Sequence, residues 1–156
     1  MLDAQYFLGV CHLSLQHYQE AVRELSSILE KSQSYKRNIY LLLSIAYKKS
    51  GDLNQSVRVL SKAISNFPKY YDAYIYRGKL LVKQRKYDKA LQDFNSAISL
   101  CPHKALGFVG KADCLRFQGE LNESITLYTQ SLTKECIVRK QALLKRAITY
   151  LDAKQY

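Results

Sequence analysis

Tyr71-Asp-Ala-Tyr-Ile-Tyr-Arg-Gly-Lys-Leu-Leu81, and then Lys86-Tyr-Asp-Lys-Ala-Leu-Gln-Asp-Phe-Asn-Ser-Ala-Ile-Ser-Leu-Cys-Pro102, decide how this chain folds. The stretch ends on Pro102, which stands 34 residues after Pro68. Sliding the chain by that interval aligns Tyr40 with Tyr74 and Phe108. It also aligns Leu53 with Tyr87 and Leu121, and Leu60 with Phe94 and Tyr128. Within each interval apolar residues recur at helical spacing, as in Leu42, Ile45 and Ala46, then Val57, Leu60, Ala63 and Ile64. Each interval therefore reads as a helix, a short turn and a second helix, and such a period marks stacked helical pairs.

Five units follow outward from that stretch: 2–35, 37–70, 71–104, 105–138 and a half unit, 140–156. Lys36 and Arg139 are extra residues at two joins. Two helices approach closely only where side chains are small. The eighth position of each unit holds Gly9, Ser44, Gly78, Ala112 and Ala147. The twentieth holds Ala21, Ser56, Ala90 and Ser124. The twenty-seventh holds Ile28, Ala63, Ala97 and Ser131, so Ile28 predicts a first hairpin that splays or packs on something outside it. Larger residues fill the gaps between hairpins: His12, Tyr47, Leu81, Leu115 and Tyr150 in one column, Leu25, Leu60, Phe94 and Tyr128 in another. Gly51 and Gly119 fall in corresponding turns, where a left-handed residue ends a helix.

These columns resemble the tetratricopeptide repeat (TPR) family, whose period is the same. The resemblance implies an all-α fold: a right-handed α-solenoid of about nine antiparallel helices forming a single array over residues 1–156. It also implies an Arg77–Asp93 ion pair across the third hairpin, because the family often matches Arg-Gly in the first helix with Asp-Phe in the second. At a partly exposed site that pair is expected to add about 0.2–1 kcal/mol. First helices line the concave face in this family, and partner segments lie along it. Carried onto this chain, the floor is Tyr6, Leu41, Ile75, Val109 and Leu144, with Val10, Ile45, Lys79, Asp113 and Ile148 beside it. Flanking positions are Asn38, Asp72, Lys48, Lys49, Lys83, Arg116 and Phe117. An apolar floor with a basic rim suits a protein segment with apolar anchors and acidic flanks. The bland reading is that floor residues simply pack on neighbouring helices. Family members that clamp a chaperone's C-terminal carboxylate use a Lys, Asn, Asn, Lys and Arg set; no window here supplies it, so no such tail is an expected ligand.

Composition bounds the alternatives. Lys and Arg number 24 against 13 Asp and Glu, a net charge of +11 that favours acidic partners or merely solvates a helical surface. RNA binding by a basic helical array is the rival function, since the 13 tyrosines could stack on bases. Against it, most tyrosines recur at core columns and the cations are spread over several faces, so nucleic acid is not the expected partner. No apolar stretch is long enough to span a bilayer and no basic leader precedes Asp3 and Gln5, which points to a cytoplasmic, intracellular protein. Cys11, Cys101, Cys114 and Cys136 form no Cys-x-x-Cys pair, so buried free thiols in a reducing compartment are expected, and no metal. His12 and His17 are five residues apart and do not share a helix face, while His17 and His103 fall at turns. Gly107 and Gly110 lie inside a helix and do not follow a strand, so they make no phosphate loop. Neither a catalytic residue nor a cofactor site emerges, and an interaction scaffold is expected, not an enzyme. The half unit keeps Leu143, Ala147, Ile148, Tyr150 and Leu151 without a second helix, which predicts a piece of a longer repeat protein.

Overall fold

The structure is a computed structural model and describes residues 2–31, 36–134 and 138–154. The chain forms two compact units, residues 1–73 and 74–156. Among the described residues there are nine α-helices and no strand. They are α1 (Leu2–Ser14), α2 (Tyr18–Lys31), α3 (Lys36–Lys49), α4 (Leu53–Asn66), α5 (Tyr71–Lys83), α6 (Tyr87–Leu100), α7 (Ala105–Gln118), α8 (Leu121–Leu132) and α9 (Arg139–Lys154). The turns inside hairpins share one device. Gln16, Gly51, Arg85 and Gly119 all occupy the fifteenth position of their units, and all are left-handed, with φ of 63°, 93°, 58° and 91°. Only glycine adopts that conformation without a steric cost, so Gly51 and Gly119 fit it and Gln16 and Arg85 are strained there.

In the first unit the small columns permit close crossings. A Cβ on Gly9 would lie 2.8 Å from Leu25 Cγ, so α1 rests directly on the α2 leucine. Ser56 donates to the Ser44 carbonyl at 2.8 Å, and the two hydroxyls are 2.8 Å apart, which satisfies both polar groups inside the α3–α4 crossing. Asp52 caps α4 by accepting from the Gln55 backbone N–H at 2.9 Å. Leu25, Ile28, Ile39 and Leu43 form the buried core, with Tyr6, Leu13, Val22 and Tyr47 packed on it. Ile28 thus packs on something outside its own hairpin, the second of the two expected outcomes: it shares a core with Ile39 and Leu43 of α3.

The second unit repeats the logic with other residues. Ser124 donates to the Ala112 carbonyl at 2.9 Å, the α7–α8 counterpart of the Ser56 bond. The Phe94 ring lies between two glycines: a Cβ would come within 2.8 Å of it from Gly78 and within 2.3 Å from Gly110. Val109, Ala112, Leu115, Leu127, Tyr128 and Ala142 form the core that joins α7, α8 and α9. Arg77 and Asp93 pair as expected, with Nε to Oδ2 at 2.9 Å and Nη2 to Oδ1 at 2.6 Å. The pair is partly exposed on the Arg77 side, as expected, but Asp93 is only 3% exposed, so among the described residues its buried carboxylate is held by this forked donor. The hydrogen bond to Asp93 raises the guanidinium pKa above its ordinary value, against the desolvation that lowers it.

Candidate partner-binding groove

The groove positions can be followed through each unit separately. In the first, α1 presents Tyr6 and Val10, and α3 presents Leu41 and Ile45; all four are half-buried, with their outer edges in solvent. One helical turn separates Leu41 from Ile45, so the two form a short apolar strip. Asn38, Lys48 and Lys49 are exposed along the same helix, and Asp72 is exposed in the first turn of α5.

The second unit divides the same columns differently. Ile75 and Val109 are 1% and 6% exposed, and Val109 belongs to the core just described. Neither offers surface to a ligand. On α9, by contrast, Leu144 and Ile148 are 63% and 41% exposed. Lys79 and Lys83 reach solvent from α5. Asp113 is held from two sides: the Tyr128 hydroxyl donates to Oδ1 and Lys145 Nζ to Oδ2, each at 2.5 Å. Burial, and then the adjacent carboxylate, push the Tyr128 hydroxyl pKa well above the ordinary range, so it stays a donor. Asp113 therefore ties α7 to α8 and α9 and is half-buried. The sequence marks Tyr128 only as a packing residue between hairpins and gives Lys145 no role. Their one signal was an acid at a column otherwise filled by Val10, Ile45, Lys79 and Ile148.

Arg116 and Phe117 line a cleft of about 750 Å³ at the α7–α8 turn, closed on one side by Asp152 and Ala153 of α9. The Arg116 guanidinium lies 4.7 Å from the Phe117 ring centroid and 3.8 Å from an Asp152 carboxylate oxygen. Phe117 in turn stacks on Tyr87, at 5.7 Å between centroids, and half of it remains exposed. Among the described residues no group of three His, Cys, Asp or Glu could hold a metal ion. The left-handed turn at Gln16 brings the His12 and His17 rings to 5.9 Å, although helical spacing alone would keep them apart. Cys114 is buried, Cys101 half-buried and Cys11 exposed, so the expectation of buried thiols holds fully for one of these three; Cys136 and Tyr156 lie outside the described residues.

Residues 38–70 and 71–104 each match the family of the tetratricopeptide repeat. Residues 38–104 carry tetratricopeptide repeats. These TPR matches coincide with the second and third sequence units to within one residue. A thermophilic TPR protein of Thermus thermophilus superposes with a TM-score of 0.75 at 21% identity, over 97% of this chain and 82% of its own. A crystal structure of MamA does so at 0.79 and 18% identity, over 96% and 80%. YrrB, described as a TPR protein with an unusual peptide-binding site, gives 0.74 at 15% identity, over 100% and 75%. At these identities the likeness carries the fold, that of TPR solenoid proteins. The BBSome complex member BBS4 of Bos taurus is 21% identical over 121 residues, which is 78% of this chain but 23% of that protein. TPR proteins mediate protein–protein interactions and are generally not enzymes. No helix among the described residues is long and apolar enough to cross a membrane.

Proposed function

We propose that this chain is a protein-interaction scaffold that holds a peptide or helix of a partner protein on its first helices. The partner segment carries apolar anchors and acidic flanks. The observation that carries the reading is the half-buried Leu41–Ile45 strip on α3, whose outer edge reaches solvent beside exposed Lys48 and Lys49. Leu144 and Ile148 on α9 repeat an open apolar pair near Lys140. Apolar anchors supply affinity, and the cations favour acidic flanks and reject basic ones. Free thiols at Cys11, Cys101 and Cys114 suit an intracellular, reducing setting.

The test is to pan a random 12-residue peptide display library against the full chain. Enriched peptides should pair apolar residues with Asp or Glu. Leu41→Ala together with Ile45→Ala should weaken a selected peptide at least about tenfold, about 1.4 kcal/mol, while helicity is kept. Unchanged affinity in that variant overturns the groove assignment. Ile75 is unsuited to such a test, because its burial makes any truncation a stability change. The rival reading, RNA binding, draws on residues 74–156, where fifteen Lys and Arg face seven Asp and Glu. Four of the tyrosines it would need, Tyr40, Tyr70, Tyr71 and Tyr128, are buried. Oligoribonucleotide retention on a filter at physiological salt, falling steeply as salt rises, would favour it over the scaffold.

A further inference from the structure

The turns inside the hairpins set two positions of each unit side by side, the eleventh and the sixteenth. In each of the four turns the backbone N–H of the sixteenth residue donates to the carbonyl of the eleventh. His17 donates to His12 at 2.8 Å, and Asp52 to Tyr47, Lys86 to Leu81 and Glu120 to Leu115 at 2.9 Å each. The bond closes over the left-handed residue at position fifteen, so backbone geometry holds the pair together. In the first hairpin alone both members are histidines. The pairs Tyr47–Asp52, Leu81–Lys86 and Leu115–Glu120 hold at most one good metal donor each.

The two imidazole rings lie 5.9 Å apart between centroids and are tilted by 37°. Zinc bonds an imidazole nitrogen at about 2.0–2.1 Å, and that nitrogen lies about 1.1 Å from its ring centre. Two rings sharing one ion therefore have centroids about 5.2 Å apart at a tetrahedral angle and about 6.4 Å apart when opposed. The observed spacing falls inside that range, and His17 is exposed, so a small side-chain rotation there brings both rings onto one ion. His12 is half-buried, and its Nδ1 is buried with no hydrogen-bond partner among the described residues. A buried ring nitrogen without a partner calls for an explanation, and a bound ion is one. No hydrogen bond within the protein has to break for this nitrogen to ligate.

We infer that His12 and His17 together bind a first-row transition-metal ion, Zn2+ or Cu2+, across the turn between α1 and α2. Neutral imidazole is a donor that suits these ions, whereas calcium and magnesium take oxygen ligands. Among the described residues no third His, Cys, Asp or Glu joins the pair, so water fills the remaining positions and the site is open. The ion ties the last turn of α1 to the start of α2 and stabilises the first hairpin as it binds. No groove residue is a ligand, so the inference stands apart from the partner-binding reading.

Titrating ZnCl2 into the full chain, with the histidine ring nitrogens followed by NMR, reads this directly. The His12 and His17 signals should shift together and saturate at a 1:1 ratio, while those of His103, in a turn of the second unit, stay in place. His17→Gln, at an exposed position, should weaken zinc at least about tenfold with unchanged circular dichroism, because the chelate is lost. His12→Gln should do the same. Cys11→Ser should leave zinc binding as it was, although Cys11 is exposed beside His12. Saturating zinc should raise the melting temperature of the wild-type chain and not that of His17→Gln. A wild-type chain with no shift at about 1 mM zinc overturns the inference. So do a shift of His17 alone, a parallel shift of all three histidines, undiminished affinity in His17→Gln, and loss of binding in Cys11→Ser, which would mean a thiol site instead.

Discussion

Asp93 is a buried carboxylate satisfied by a single forked arginine. Removing Arg77 leaves that charge in the interior, where it costs far more than a lost surface bridge. Arg77 retains some exposure, which tempers the penalty. Arg77→Ala is therefore expected to destabilise by about 2–4 kcal/mol, read as a fall in the urea midpoint. The pair itself was legible in the Arg-Gly and Asp-Phe residues; its weight was not, because depth depends on helices that the pair does not contain. Cysteines show the same limit. Burial, then the Asp113 charge, push the Cys114 thiol up to about 12, so it is neither accessible nor ionised near neutrality. Iodoacetamide should label Cys11 in the folded protein and reach Cys114 only on unfolding, checked by peptide mass mapping.

At the scale of the helical hairpin, the fifteenth residue sets the turn. Two glycines and two side-chain-bearing residues adopt one left-handed conformation there. Nothing lies within 4 Å of a Cβ on Gly51 or Gly119, so the constraint is the backbone alone and not crowding. The left-handed cost of a non-glycine residue exceeds the entropy cost of glycine by a margin of about 0.5–1 kcal/mol. Arg85→Gly should raise stability by that amount, visible as a higher melting temperature with unchanged helicity. The glycine turns could be read in advance from Gly51 and Gly119. Gln16 and Arg85 could not, since neither residue type advertises the conformation and only column position links them to the glycines.

For the whole molecule, repetition made the helices legible and left the groove only partly so. A column fixes which way a side chain points along its helix. It does not fix what the next helix covers, so Ile75 and Val109 are buried while Leu144, in the same column, is open. Asp113 eluded the column logic for another reason: its partner Lys145 lies 32 residues away in the next repeat. Charge is also unevenly placed. Residues 1–73 hold nine cations against six carboxylates, and residues 74–156 hold fifteen against seven. An acidic segment is thus drawn first to the second unit, and selected peptides should reflect that field as well as their apolar anchors. One contact described above bears on how such a chain can diversify. Phe94 occupies the room that methyl groups at 78 and 110 would need, so three positions on three successive helices share one volume. A methyl added at 78 or 110 alone must displace the Phe94 ring, so a change at any one of the three is felt at the other two.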